Sequence, residues 1–415
     1  MIWLIIGYMW LFIHRPFEEW QWLGDYRVER VSMIVLLACW CMATPRLTQW
    51  NRMHRGIILF VSIMLASWLI SPFRHQGRTL VENYLKYLVF YLVLITSVHT
   101  SRQLRLLLAG FIGAMALFML HSANEWLNGR AFLQQGIVRM GGVGKSFADQ
   151  NDFAGLIVMS LPFAWVLWQD ARRFSRMLLV GYFGLALWCV MRTGSRMGAC
   201  GVAAAAAMAI VALPKRYRLR IVLVAPLVVA AVWLVLPQEI QRRYLTIVDS
   251  SYGPANAAKS ADNRSRYFWI ALDLFQERPL LGYGPGGFLQ ASGVNQAPHN
   301  VYGQVLSELG CLGALAFCLI LFGMAQNSHT ALLHTSSPHM LARRTALAAS
   351  AAVALALGMG WGLHFLYWHV WLWFAAFQVI ALKCLVPVWS VHSYSAWQPN
   401  RPSAPVLHSK WQQSL

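Results

Sequence analysis

Between Pro279 and Gly313 the chain reads PLLGYGPGGFLQASGVNQAPHNVYGQVLSELGCLG, and this stretch gathers the residues best suited to chemistry. His299 follows Pro298 where a glycine-rich loop enters an apolar run. Near neutral pH an imidazole there can take a proton from a hydroxyl nucleophile. It can equally cap or pack the end of a helix. Beyond it Asn300, Gln304, Ser307 and Glu308 share one stripe, because a helix advances about 100° per residue. Polar stripes on apolar helices usually face a bundle interior or a wet cavity. Glu308, about two turns in, could orient a cation or pair with an arginine.

Arginines supply the second kind of chemistry. Thr193-Gly194-Ser195-Arg196 ends one apolar run and opens the next. Arg196 there either snorkels to phospholipid phosphate or offers paired donors to a diphosphate. Arg192 is a weaker candidate for the same role. From Asn263 to Gln276 the pattern predicts an amphipathic helix that turns Arg264 inward with Phe268, Leu272 and Phe275. The same pattern leaves Arg266 outside with Asp273 and Glu277. Gly144-Lys145-Ser146 resembles the end of a phosphate-binding P-loop, but Arg139 stands where that pattern needs glycine and no strand precedes it. Nucleotide binding is therefore not expected, although Lys145 and Arg139 could still meet an anionic substrate. Gly282, Gly284, Gly286 and Gly287 lie between a helix and an apolar run, not in a βαβ unit, which excludes a dinucleotide fingerprint. They imply a tight turn or a close backbone approach to a ligand.

The elements that must position these residues are membrane helices. The chain is 58% hydrophobic and 12% charged, about half the usual charged fraction of soluble domains. Near-spanning apolar runs recur along its whole length, which predicts an all-α polytopic membrane protein of about twelve spans. They fall roughly at 1–13, 31–45, 55–71, 80–98, 104–121, 152–169, 175–191, 197–213, 219–236, 300–325, 343–362 and 366–387. The run from 300 to 325 is read as one continuous span, and no paired broken helices are evident. The first run has no basic segment before it and no small-residue cleavage site after it, so it reads as a retained span and not a signal peptide. Residues 1–390 form one transmembrane domain with a long outer loop at about 237–299, and 391–415 form a disordered tail.

The net charge of +19 does not imply nucleic acid, because Lys and Arg sit in short clusters between apolar runs. That is the topogenic pattern of a membrane protein, with anionic lipid as partner. Arg46, Arg52 and Arg55 mark one such loop; Arg102 and Arg105, Arg172 to Arg176, Lys215 to Arg220, and Arg343 with Arg344 mark the others. These loops alternate, so they face the cytoplasm with both termini, and His299 faces outward. The seven cysteines lie in or beside apolar runs and are read as packing residues. No dense metal-ligand pattern occurs, so a metal-independent reaction without cofactor is expected, with arginines neutralising a phosphate leaving group.

Four segments carry a resemblance: GKSFADQNDFAGLIVMSLP, TGSRMGA, NRSRYFWIALDLFQERPLLGYGPGGF and PHNVYGQVLSELGCLG. In this order they resemble the O-antigen ligase and O-antigen polymerase superfamily of bacterial envelope glycosyltransferases. The resemblance implies an outer-face histidine and arginines acting on an undecaprenyl-diphosphate-linked glycan. By motif position these are His299, Arg196 and Arg264. Arg264 is chosen over Arg266 by its spacing of fifteen residues to Pro279. The glycine expected after Ser195-Arg196 is displaced by one, to Gly198. Arg192, Arg266, Arg139, Lys145 and Asn300 are candidate substrate contacts, with Glu308 and Gln304 supporting. The implied activity is an O-antigen ligase that transfers polysaccharide to a lipid A–core hydroxyl at the periplasmic face of the inner membrane, with inversion. A polymerase or a protein O-oligosaccharyltransferase of the same superfamily is the alternative. A transporter is a third reading, for which the sequence lacks the repeats.

Overall fold

The computed structural model describes residues 1–43, 50–130, 132–134, 137–247, 249, 255–334 and 339–385. Arg46 and the tail 391–415 lie outside the described residues. The N-terminal segment holds α1 (Ile2–His14), α2 (Pro16–Glu19), α3 (Gln21–Asp25) and α4 (Val28–Met42). Next come α5 (Arg52–Ile70), α6 (Arg74–Ser97) and α7 (Ser101–Leu127). A short antiparallel pair, β1 (Phe132–Gln134) and β2 (Ile137–Arg139), sets Phe132 opposite Arg139. It leads to α8 (Gln150–Gln169), α9 (Arg173–Thr193), α10 (Arg196–Ala212) and α11 (Lys215–Val235). The long connection carries α12 (Gln238–Leu245), α13 (Ala255–Glu277) and α14 (Phe288–Ser292), and the chain closes with α15 (Val301–Leu333), α16 (Met340–Met359) and α17 (Val370–Leu385).

The all-α polytopic class expected from composition is the class found. A helix lies under each expected span among the described residues, but twelve is not the number that length and composition support. Eight described helices are long and apolar enough to cross a membrane: α5 to α9, α11, α15 and α16. α1, α10 and α17 are apolar but shorter. α4 has 15 residues and spends its first turn on Glu29 and Arg30, so its apolar part falls short of the bilayer core. α17 is the central post: Trp373, Phe374 and Phe377 are buried, and Phe111 and Phe163 meet Phe377 edge-on. α11 has no buried residue in its apolar stretch and lies at the periphery, the place of a lipid-facing helix.

Small residues set the tight packings, as they commonly do between membrane helices. A Cβ on Gly323 of α15 would stand 2.5 Å from the Met53 backbone of α5, and one on Gly198 of α10 would stand 2.7 Å from Ala154 of α8. Gly198 and Gly201 are buried, whereas Ala203, Ala204, Ala206 and Ala207, on the same helix, are exposed. The cysteines fit the expected packing role in part, with Cys39, Cys311 and Cys384 half-buried. Among them Cys189 is buried, whereas Cys41, Cys200 and Cys318 are exposed.

Asp170, just past α8, pairs with Arg105 at 3.1 Å and with Arg344 at 2.9 Å. Three of the basic connections therefore meet at one end of the bundle. The opposite end of α8 lies about 30 Å away, at 1.5 Å rise per residue.

α15 is the element that differs most from its sequence reading. It is broken at Gly310, whose φ of 66° and ψ of −165° are not helical. A break in a membrane helix frees N–H and C=O groups that must find partners inside the protein. The Pro279–Gly284 loop provides them. Cys311 and Leu312 donate N–H to Pro279 O (2.8 Å) and Leu280 O (3.3 Å). Ser307 and Glu308 carbonyls accept from Tyr283 N (2.9 Å) and Gly284 N (2.9 Å). The approach is close enough to demand glycine on both sides. A Cβ on Gly282 would lie 2.5 Å from Glu308 C, and one on Gly310 would lie 2.4 Å from Leu280 C. The glycine-rich loop thus does make a close backbone approach, and its partner is the protein's own broken helix.

Candidate functional site

The site forms at the α8 end remote from Asp170, around the turn between α9 and α10. A helix C-terminus leaves carbonyls without intrahelical partners and carries the negative end of the macrodipole. Here two arginines from other segments bind those carbonyls. Arg139, at the end of β2, donates Nε–H to Thr193 O at 2.6 Å and Nη2–H to Asn151 Oδ1 at 3.3 Å. Arg243, on α12, donates Nε–H to Gly194 O at 2.8 Å. Gly194 turns the chain with φ of 60°, and a Cβ there would press on Arg243 at 3.3 Å. Ser195 then caps α10 by accepting from Gly198 N at 3.2 Å. Arg196 thereby becomes the first residue of α10, and its Nη1–H donates to Thr246 Oγ1 at 3.2 Å. The turn is both a helix C-terminus satisfied by cations and a helix N-terminus, a position that favours anions.

Arg243 has no place among the sequence candidates, yet it is 4% exposed inside the cluster. Its signal was present. In QEIQRRYL, Ile240, Arg243 and Tyr244 lie at i, i+3 and i+4, and all three are buried on one face of α12. Tyr244 fixes that face by donating Oη–H to Met191 O at 3.1 Å. The Arg242–Arg243 pair read as ordinary loop charge because α12 is only 8 residues long.

Arg264 lies on α13 as half-buried, and Arg266 is exposed. The deepest positions of α13 are Tyr267, Ala271 and Leu274, so the buried face is turned by about one residue from the stripe of Phe268, Leu272 and Phe275. Arg264 crosses the backbone at Gly362, where a Cβ would stand 3.2 Å from its Nη1. Two residues later His364 presents its ring to His299, with centroids 4.8 Å apart and planes at 85°. His299 itself has a left-handed backbone, φ 45°, which is uncommon outside glycine. The chain is held in that bend by Asn300, whose Oδ1 accepts from Tyr302 N (2.9 Å) and Gly303 N (3.0 Å) to cap α15.

The charges act on one another. Burial and the Arg243 guanidinium lower the Arg139 pKa to about 9, still protonated at neutral pH. Burial and Arg196 lower that of Arg243 to about 10. Burial first, then the Arg264 charge, hold His299 below the ordinary histidine value of 6.5, while Asp149 opposes them. His364 is lowered to about 4 by burial and by His299. Both rings are therefore neutral at pH 7. Asp149 was not singled out by sequence, but its carboxylate acts on Arg139, Arg264, His299 and His364 alike. It also caps α8, accepting from Asn151 N at 2.8 Å.

The remaining sequence candidates are placed elsewhere or otherwise engaged. Arg192 lies over the Trp188 ring at 5.9 Å. Arg139 is 1% exposed and braces the turn from beneath. Lys145 is exposed in a loop whose P-loop-like amides already receive carboxylates of this chain. Gly144 N donates to Glu19 at 2.9 Å and Ser146 N to Glu18 at 3.0 Å. Asn300 spends its Oδ1 on the helix cap. Gln304 accepts from Leu366 N at 3.2 Å. Glu308, 2% exposed, sits among Gly286, Phe288, Tyr367 and Gln304.

The residues brought together on α9, α10, α12, α13 and the start of α15 all fall inside one matched stretch. Residues 181–318 match the family model described as O-Antigen ligase. This is the superfamily that the four motifs resemble, and the match covers a third of the chain. Arg196, Arg243, Arg264 and His299 lie within it, whereas Arg139, Asp149 and His364 lie outside. Comparison with curated proteins finds no significant match.

Proposed function

We propose that the chain is an O-antigen ligase, transferring polysaccharide from undecaprenyl diphosphate to a hydroxyl of the lipid A–core oligosaccharide. The reaction would take place at the periplasmic face of the bacterial inner membrane. What supports this reading is that Arg264 lies against Gly362, two residues from His364, whose ring meets His299 at the start of the broken helix, and that the Arg264 charge acts on His299. A neutral imidazole next to fixed guanidinium charge suits a base that works beside a phosphate leaving group.

In this reading His299 takes the proton of the acceptor hydroxyl. The oxygen attacks the anomeric carbon on the face opposite the diphosphate, so the anomeric configuration inverts. As the sugar–phosphate C–O bond breaks, its electron pair and the growing negative charge pass to the diphosphate. Arg196, Arg264 and Arg243 stabilise that charge with charge-assisted hydrogen bonds, and Arg139 holds the turn that presents Arg196. Guanidinium groups do here what a divalent cation does at other phosphate sites, without a cofactor.

The test combines purified full-length protein, undecaprenyl-diphosphate glycan and lipid A–core, with chelator and without nucleotide. Glycan transferred to core, lost in His299→Ala and Arg264→Ala and kept within a few-fold in Arg266→Ala, supports the reading. Undiminished transfer by well-folded His299→Ala overturns the base assignment. Extension of the donor glycan with core untouched identifies a polymerase instead.

A further inference from the structure

A cavity of about 740 Å³ has Pro298 and His364 in its wall, beside the His299–His364 ring pair. That volume falls within the range of about 300–1,000 Å³ typical of small-molecule sites. None of the clustered arginines lines it.

Two spans turn polar stripes towards it. From α6 come Asn83, Lys86 and Tyr87, at i, i+3 and i+4; from α15 come Gln304 and Glu308, at i and i+4. Each group lies on one helix face. Glu308 is 2% exposed; Gly286, Phe288, Tyr367 and Gln304 act on its carboxyl, while its Oε2 has no hydrogen-bond partner among the described residues. A buried carboxyl oxygen facing a cavity with a lone pair to spare can take a donor from a ligand there. Lys86 lies in the middle of a span, where an ionisable side chain is expensive and commonly marks a binding path. Its amine donates to the neutral Asn83 Oδ1 at 3.2 Å. Neither Lys86 nor Arg30, which also lines the cavity, has an ion-pair partner among the described residues. Tyr87 and Trp368 add flat apolar faces.

We infer that this cavity is the subsite for the acceptor: an oligosaccharide whose hydroxyls donate to Glu308 and Gln304, and whose anionic substituents meet Lys86 and Arg30. The inference rests on the ligase reading, and it extends it by separating two entrances. The diphosphate occupies the arginine side of His299. The attacking sugar comes from the cavity side, past His364.

The test is binding without turnover. Full-length protein in nanodiscs is titrated with lipid A–core alone and, separately, with undecaprenyl-diphosphate glycan alone. Wild type is compared with Glu308→Gln and with the Arg30→Gln/Lys86→Gln double variant, whose two changed residues are exposed and outside the packed core. The expected result is a core Kd raised at least roughly tenfold in both variants, about 1.4 kcal/mol, with the donor Kd unchanged. Dephosphorylated core should bind wild type more weakly and lose the difference between wild type and the double variant. Weakened donor binding with core binding intact would assign the cavity to the donor glycan and overturn the inference. So would unchanged binding of both, or a wild type that does not bind core. If core binding follows the variants as expected but no transfer occurs with any donor, the ligase reading fails while the saccharide site stands.

Discussion

Arg243→Met separates a ligand-binding arginine from a structural one. Methionine keeps an unbranched apolar stem and removes the guanidinium. Two effects on stability then oppose each other. Gly194 O loses a 2.8 Å bond from a buried charged donor, and leaving such a carbonyl unpaired costs about 1–3 kcal/mol. In return the fold no longer buries a cation, whose desolvation costs several kcal/mol and which Arg196 and Arg264 repel, a relief of similar size. The melting temperature should therefore move little.

Catalysis has no such offset. One charge-assisted hydrogen bond to the leaving diphosphate is worth about 1.5–3 kcal/mol, so kcat/KM should fall by roughly 10- to 150-fold. Arg243→Lys should recover only part of this, because an ammonium cannot bind Gly194 O and a phosphoryl oxygen with the planar fork of a guanidinium. The assay is glycan transfer by purified protein, with thermal unfolding recorded with and without undecaprenyl-diphosphate glycan. Wild type should be stabilised by the donor, and Arg243→Met much less so. A variant that melts many degrees lower yet transfers glycan at nearly the wild-type rate would refute the reasoning and make Arg243 a brace like Arg139.

Three further outcomes follow from the same geometry. Arg264→Gln removes a charge that lowers the His299 pKa, so that pKa rises towards 6.5 and the acid limb of the pH profile of kcat/KM moves to higher pH; Arg264→Lys should leave the limb in place, and an unshifted limb in the glutamine variant contradicts the pairing. Gly310→Ala must carry a Cβ 2.4 Å from Leu280 C at φ 66°, which adds about 1–3 kcal/mol of backbone strain to a steric clash; thermal unfolding should show clear destabilisation, and wild-type stability would disprove the break. Glu18 and Glu19 hold the 144–146 loop with carboxyl pKa values lowered, against the upward pull of burial, by Ser146 and by Arg130. Their stabilisation is full above the ordinary value of 4.5 and is lost as pH falls through the lowered folded values, so the stability gap to Glu18→Gln/Glu19→Gln should close in acid; a gap independent of pH excludes the clamp.

Composition and apolar runs were enough to read the fold class, because the cost of unpaired backbone groups in lipid leaves helices as the one simple solution for such runs. The half-buried face of Arg264 was legible from helical periodicity alone. Periodicity could not reveal the break at Gly310. The helical pattern of polar and apolar residues continues through it, and only the partner loop Pro279–Gly284 makes a left-handed glycine there affordable. Arg243 and Asp149 were missed for a related reason: each acts on distant segments, Arg243 through its hydrogen bond to Gly194 O and Asp149 through its charge on His299. The filling of the Lys145 loop was not legible, because the carboxylates that bind its amides, Glu18 and Glu19, lie more than a hundred residues earlier.

The electrostatics of the arginine cluster also argue for the kind of ligand it serves. Arg139 and Arg243 act on each other, Arg243 acts on Arg196 and Arg264, and Arg264 acts on His299, each interaction opposing a further positive charge. Crowding cations in a half-buried turn is unfavourable for folding alone, and the protein uses the carbonyl end of α9 to make it tolerable. A cationic or neutral ligand would gain nothing from this arrangement. A singly charged headgroup would relieve part of the repulsion, but it would not need guanidinium groups drawn from α10, α12 and α13 to meet at one turn. A diphosphate presents oxygens on two phosphorus centres, enough to accept from several forks at once. Its binding should therefore stabilise the fold most in the wild type and progressively less as each of Arg196, Arg243 and Arg264 is replaced by methionine. If inorganic phosphate and pyrophosphate shift the melting temperature equally at equal saturation, the cluster is a general anion site and its geometry is not matched to a diphosphate.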